Sequence, residues 1–403
     1  MPPTRHRSPL TAHTTDAPPA VTDVVIIGGG LFGAACAYWL ARAGRRVTVL
    51  EAGSLACGAS GSGAGLVVPT TPEPFEQATH RLGTRTARLV LRIAEKGFSL
   101  LRKASESDGI ECLLRDNGHI QLAVGGTQLD RLAAHERALA AEGVRTEWLS
   151  PRDLRSSVST QIAGDVRCGL LLPGGVVDPT LLVLALTRAA MDNGATVHTG
   201  TAVIEVRQAA KGVRVMTTRG MVRAEAAVVA VNAWAGHLVP ELKQVVTPAQ
   251  AQVLATDVLP PVFATGMSAA VSPDGEYWQQ TRDGRVILGG CRVADGPNGV
   301  SALDREPEDA AHSGLLGVLP RLFPALGPIR AMQRRAAPIA RTADHLPVVH
   351  RADENIWAAG GFNTHGTPLA MALSRALALA VPSGWAPAEL APFALTRPSL
   401  QAA

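Results

Sequence analysis

Along the chain, short apolar runs alternate with longer stretches at helical spacing. Val24-Val25-Ile26-Ile27 is an unbroken β-branched run, the mark of a strand covered on both faces. Gly28-Gly29-Gly30-Leu31-Phe32-Gly33 follows, then an alanine-rich helical stretch over 34–44 that ends at Gly44. Val47-Thr48-Val49-Leu50 is a second strand, completing a βαβ unit of about thirty residues. After Glu51 the repeat stops. A loop of small residues, Cys57-Gly58-Ala59-Ser60-Gly61-Ser62-Gly63-Ala64-Gly65-Leu66, leads into one long helical region predicted over 74–107, with Leu89, Ile93 and Leu100 at helical spacing.

Strand-like alternation returns over 110–124, and 128–142 reads as a helix with Leu129, Leu132 and Leu139 on one face. Gly174-Gly175-Val176-Val177-Asp178 introduces a strongly apolar helix over 179–193. Three strands of a small meander are predicted at 196–206, 213–218 and 221–225, with a separate buried strand at 226–231. Beyond Pro240 the alternation predicts an antiparallel sheet, to which Tyr277-Trp278-Gln279-Gln280 and Arg285-Val286-Ile287-Leu288 belong. A last strand at 356–359 runs into Gly360-Gly361, and a helix over 369–379 closes the chain.

The 403 residues suffice for two to three domains, and 46% hydrophobic with 18% charged residues is an ordinary globular composition. The first twenty residues, rich in Pro, Thr and His with no apolar core, are expected to form a disordered tail rather than a signal peptide. The net charge of +4 comes almost wholly from arginine, and no basic run with interleaved aromatics marks a nucleic-acid partner. Five widely spaced cysteines form neither a disulfide framework nor a metal-ligand pattern. With no stretch of about 18 uncharged apolar residues to span a membrane, a cytoplasmic location is expected. Oligomeric state is left open.

Gly28-x-Gly30-x-x-Gly33 between a buried strand and a helix is a dinucleotide fingerprint in its proper context. The first glycine permits the tight turn, the second lets backbone approach a pyrophosphate, and the third packs helix on strand. The pyrophosphate then meets the N–H groups of the helix start. Glu51, 23 residues after Gly28, stands where an acid takes a ribose hydroxyl and disfavours NADP. A nicotinamide dehydrogenase would continue with further βα units. A second small-residue loop, a long helix and a third glycine turn near 360 suit an extended FAD instead.

Taken together, these segments resemble the D-amino-acid oxidase superfamily, in its glycine oxidase, sarcosine oxidase and D-amino-acid dehydrogenase branch. The resemblance is carried by the fingerprint with Glu51, by 59–66, by 174–179 and by Val229-Ala230-Val231-Asn232-Ala233-Trp234. It continues through Thr342-Ala343-Asp344-His345-Leu346-Pro347 and Ala359-Gly360-Gly361-Phe362-Asn363-Thr364-His365-Gly366. It implies an α/β fold, with a Rossmann-like FAD-binding domain (21–104, 165–238, 334–403) interleaved with an antiparallel-sheet α+β substrate domain (105–164, 239–333). It also implies FAD contacts at Gly28, Gly30, Leu31, Phe32, Gly33, Glu51, Ala52, Ser60, Ala64, Gly65, Leu66, Val203, Ala230, Asn232 and Trp234. The turn Gly361, Phe362, Asn363, Thr364, His365, Gly366 and Thr367 would complete the site.

The implied reaction takes a hydride from the carbon next to nitrogen of an amine or amino acid and leaves an imine for hydrolysis. Electrons would pass to oxygen or to an electron-transfer acceptor. The cofactor carries this chemistry, so the protein needs no catalytic triad. Oxidation of a hydroxy acid, or of a specialised metabolite or carrier-bound substrate, are the alternatives. Several family positions differ here. Ala337 stands where sarcosine oxidases carry flavin on cysteine, so FAD should be non-covalent. Ile339 and Pro368 replace carboxylate-binding cations, and the oxygen-activating lysine aligns near Ile287. A carboxylate in a water-poor pocket needs a paired cation, which makes Arg292 and Arg341 the candidates. His365 is expected to border the flavin, as turn-former or as base. Of Tyr277 and Trp278, neighbours on one strand, only one can face the pocket. Glu73-Pro74-Phe75-Glu76 reads as a connecting loop, and Cys291 has no activating neighbour in sequence.

Overall fold

The computed structural model describes residues 16–272, 275–290, 303 and 307–401. Most of the expected tail, together with Cys291 and Arg292, lies outside them. Within 16–20, Ala20 accepts the Arg223 N–H at 2.9 Å.

Two eight-stranded sheets organise the chain. In the first, Val21–Ile27 lies centrally, parallel to Val47–Leu50 on one side and to Gly220–Val229 on the other. Thr196–His198 extends the sheet beyond Val47–Leu50, and Ile356–Gly360 extends it beyond Gly220–Val229, both in parallel. The meander strand and the buried strand predicted at 221–225 and 226–231 are one continuous strand. Its first half pairs antiparallel with Val213–Thr217 and its second half enters the parallel core. Thr196–His198 likewise leaves the predicted meander for the parallel sheet, because its partner Thr48-Val49-Leu50 is fully buried and offers an apolar edge.

Helices Leu31–Arg42, Thr84–Ser107 and Gly366–Ser383 cover this sheet and bury an apolar cluster against Ile26, Val49, Val228 and Trp357. The long helix predicted over 74–107 is two helices, Phe75–Leu82 and Thr84–Ser107. Gly83 between them has φ of 78°, a left-handed value that no helix propagates through.

The second sheet runs in the order Ala331–Arg341, Thr247–Val258, Arg285–Gly289, Glu276–Gln280, Gly266–Ala269, His119–Val124, Val166–Leu172, Glu147–Leu149. Every pairing is antiparallel except that of His119–Val124 with Gly266–Ala269. The sheets do not follow the boundaries expected at 165 and 334: Ala331–Arg341 straddles 334, and Val166–Leu172 begins just past 165. Val166–Leu172 and the part of Ala331–Arg341 beyond 334 fall in the segments expected to form the FAD-binding domain, yet both strands hydrogen-bond in the second sheet. A run such as Cys168-Gly169-Leu170-Leu171-Leu172 fits a covered strand in either sheet, and pairing alone decides.

One face of this sheet packs on the Asp309–Leu322 helix through Trp278, Phe263 and Phe323, whose rings meet edge to face. The other face looks toward the first sheet. Gln279 ties the layers together, its side-chain amide donating to the carbonyls of Ala64 and Val177.

Candidate functional site

A single cavity of about 1150 Å³ runs from the glycine fingerprint to the open face of the second sheet. That exceeds the roughly 300–1,000 Å³ of an ordinary small-molecule pocket, as a dinucleotide plus substrate requires. At one end lies the start of helix Leu31–Arg42. Gly30 occupies its N-cap position with no side chain to cap the helix, so N–H groups of the first turn other than that of Leu31 remain for a ligand. Around Gly30 only Ser60 Oγ would come within 4 Å of an added Cβ, at 3.2 Å, which leaves room for close approach to backbone. Ser60 Oγ itself accepts the Leu31 N–H at 2.9 Å and fixes the second loop against the helix start. Glu51 accepts N–H groups from Gly29 at 2.6 Å and Gly53 at 2.7 Å, which orients its carboxylate at the end of the second strand. This cradle fits a dinucleotide: free N–H groups for a pyrophosphate and an aimed carboxylate for ribose hydroxyls.

Of the residues expected at the cofactor, Gly28, Gly30, Leu31, Phe32, Glu51, Ala52, Ser60, Ala64, Gly65, Leu66, Val203, Ala230, Asn232 and Trp234 all line the cavity, as do Phe362, Asn363, Thr364, His365, Gly366 and Thr367. Gly33 and Gly361 do not line it. An added Cβ on Gly33 would fall 2.0 Å from Gly28 O, so its part is to let helix and turn close together. Gly361 donates its N–H to Asn232 Oδ1 at 3.0 Å.

Asn363, with φ of 51°, holds the third glycine turn. Its Nδ2 donates to Gly361 O at 2.7 Å, and its backbone N–H donates to Ala340 O at 2.9 Å. Asparagine tolerates the left-handed region better than most residues. The departure from the family motif at 363–364 thus keeps the turn.

The second sheet supplies the opposite wall. Cross-strand register places Gln121, Ser268, Tyr277, Gly289 and Val253 in one row on the same face. Tyr277 faces the cavity while Trp278 is wholly buried on the other side. The Tyr277 ring lies across Gly289, where an added Cβ would stand 2.5 Å from Oη. Gly289→Ala is expected to lift that ring and lower kcat/KM roughly 10- to 100-fold with FAD content unchanged, the scale of an ångström's misplacement in a site. Steady-state kinetics beside the flavin-to-protein absorbance ratio checks it.

Arg341 does not line the cavity, contrary to its candidacy. It shares a face with Ile339, which does, but sits one pleat further along, at the strand end paired with Thr247. Ala337, Pro338 and Pro368 are in the wall, and among the described residues no arginine or lysine is. Glu73 and Pro74 line the cavity too, leading into helix Phe75–Leu82.

Sequence reasoning missed His119, Gln121, Ser268 and Glu276, all in the wall. Glu276 is buried and accepts the N–H groups of Val271 at 2.8 Å and Ser272 at 2.9 Å. The local signal for two of them was the alternation His119-x-Gln121 after a glycine, which puts both on one strand face.

Residues 23–380 match the family model described as FAD dependent oxidoreductase, and the chain belongs to that family. It is a flavoprotein oxidoreductase with FAD as its cofactor. Over 361 residues it is 29% identical to the gamma-glutamylputrescine oxidoreductase of Escherichia coli (strain K12), covering 85% of this chain and 80% of that protein. Over 381 residues it is 27% identical to the glycine oxidase of Geobacillus kaustophilus (strain HTA426), covering 93% and 97%. A crystal structure of glycine oxidase from Geobacillus kaustophilus matches the fold with a TM-score of 0.78 at 25% identity, covering 94% of this chain and 99% of that one.

Proposed function

We propose that this protein oxidises the C–N bond of a small amine or amino acid, with FAD bound non-covalently along the cavity. The observation that carries the reading is the continuity of that cavity. It joins the dinucleotide cradle to a sheet face lined by Tyr277, Ser268 and Gln121, beside the turn that bears His365. When bound, FAD supplies the hydride acceptor. The chain's own residues do the rest. Gly28, Gly30 and the start of helix Leu31–Arg42 would hold the pyrophosphate, Glu51 would hold ribose, and 362–367 would border the ring system. The wall of Gln121, Ser268 and Tyr277 positions the substrate carbon, and His365 stands where an amine proton could be taken up. Loss of a hydride and a proton converts the amine to an imine, and water then gives a carbonyl compound and the released amine or ammonia.

Ala337, lining the cavity, offers no thiol for a covalent link. Turnover would need oxygen or an electron-transfer acceptor to take up the two electrons. Four described cysteines are free, which agrees with a reducing, cytoplasmic setting. Among the described residues no single helix is long and apolar enough to cross a membrane.

The relatives' names support an amine substrate over a hydroxy acid. Product analysis tests this: amines and N-alkyl amino acids should yield a carbonyl product and an amine in equal amounts, whereas hydroxy acids should yield nothing. Turnover of hydroxy acids alone would contradict the proposal.

A further inference from the structure

His119 is a buried ionisable group that the proposed chemistry leaves without a use. It begins the His119–Val124 strand and is 4% exposed, and its Nε2 lies 2.8 Å from Ser268 Oγ. Its other ring nitrogen, Nδ1, is buried without a hydrogen-bond partner. That side of the ring faces apolar surroundings. An added Cβ on Gly266 would stand 3.6 Å from Nδ1, and also 2.5 Å from Leu66 Cδ2 and 2.7 Å from Val176 Cγ1.

The ring is neutral, because burial, and secondarily the charge of His365, push its pKa down to about 3. A neutral imidazole has one N–H and one lone pair. With the proton on Nδ1, a donor would be buried with no acceptor, the rarer arrangement in folded proteins. With the proton on Nε2, that N–H donates to Ser268 Oγ and only an acceptor is left bare. The second tautomer also determines what Ser268 can do. One lone pair of its oxygen is taken by His119, so its own proton turns away from the ring. Ser268 is half-buried in the cavity wall, opposite Tyr277 and beside Gln121 in the strand register.

We propose that Ser268, held by His119, determines specificity by donating its hydroxyl proton to a carbonyl or carboxylate oxygen of the amine substrate. The inference rests on the amine-oxidising reading above and names the oxygen-bearing side of that substrate. Ser268 touches the substrate, and His119 is a positioning residue that acts through it.

The test titrates the visible flavin band of the holoenzyme with pyrrole-2-carboxylate, pyrrole-2-carboxamide and pyrrole. Wild type should bind the two oxygen-bearing probes more tightly than pyrrole. Ser268→Ala should weaken the carboxamide about 3- to 10-fold and the carboxylate about 10-fold or more, the sizes of a neutral and a charged hydrogen bond, and leave pyrrole unchanged. His119→Phe should give the same loss, yet none beyond it in the Ser268→Ala background, a coupling that general loosening of the wall would not produce. Equal binding of all three probes by wild type overturns the proposal. So does a Ser268→Ala protein that binds the carboxylate and carboxamide as wild type does. Anaerobic reduction of the wild-type flavin by amines is read in the same preparations. Its absence contradicts the amine reading, whereas its presence with unchanged Ser268→Ala affinities contradicts only the inference.

Discussion

A Gly33→Val protein is expected to purify without bound FAD. Gly33 is the first-turn residue of helix Leu31–Arg42 that lies against the fingerprint turn. A Cβ there would meet Gly28 O at 2.0 Å and Ile26 Cγ2 at 3.3 Å. The Gly28 backbone is tied in place on its other side, its N–H donating to Leu50 O at 2.8 Å. The helix must therefore move off the strand, and with it the N–H groups aimed at the pyrophosphate. Overpacking of this kind costs about 3 kcal/mol at the upper end of its usual range, which is roughly 100-fold in affinity. The flavin-to-protein absorbance ratio measures the loss, and circular dichroism reports whether the fold survives. Gly317→Ala is the control. Nothing stands within 4 Å of its added Cβ on helix Asp309–Leu322, and it should keep wild-type FAD content.

The largest effect on stability is expected from Arg397→Leu. Asp344 follows the last strand of the second sheet and is fully buried in its side chain. Arg397 meets it from the C-terminal segment, with Nε at 2.5 Å from Oδ2 and Nη2 at 2.8 Å from Oδ1. Arg397 also donates to the carbonyls of Pro347 and Leu346, and Ser399 Oγ donates to Asp344 Oδ2 at 2.6 Å. Breaking one partner of a buried pair leaves an uncompensated charge and costs about 3–5 kcal/mol. Burial alone would raise the Asp344 pKa, but hydrogen bonds and charge from Arg397 outweigh it and hold it below the ordinary value. For a depressed carboxylate the stabilisation is complete above the unfolded pKa, roughly 4, and is lost as pH falls through the lower folded value. In the variant, burial favours the protonated acid. The gap between wild type and Arg397→Leu in urea unfolding should therefore be widest near neutrality and narrow below about pH 4. A gap independent of pH would mean that Arg397 acts through packing alone.

The first layer of this molecule is legible in sequence because its determinants are local. A covered strand, three glycines at fixed offsets, an alanine-rich helix and an acid at the next strand end follow one another within thirty residues or so. The same holds for the 361–367 turn, where the glycines and Asn363 carry their own backbone requirements. The substrate wall is different. His119 and Ser268 meet only because two strands far apart in the chain lie side by side in parallel, within a sheet otherwise antiparallel. No periodicity in either segment specifies that partner. Arg341 shows the converse difficulty. Its residue type suited a carboxylate, and its face is the right one, but the length of the cavity along the Ala331–Arg341 strand ends at Ile339. The break at Gly83 was visible as a glycine and hidden by apolar spacing that continues on both sides. Alternation on the Glu276–Gln280 strand did limit the choice between Tyr277 and Trp278 to one, and burial of Trp278 between Phe263 and Phe323 decides it.

The most direct measurement of the central claim is anaerobic. Purified protein is mixed with D- and L-amino acids, N-methyl amino acids, polyamines and hydroxy acids, and the visible flavin band is followed. Bleaching by at least one class of amine and by no hydroxy acid is the predicted result, and readmitted air then separates an oxidase from a dehydrogenase by the speed of reoxidation. A yellow protein whose band survives every amine, or bleaches only with hydroxy acids, would contradict the account.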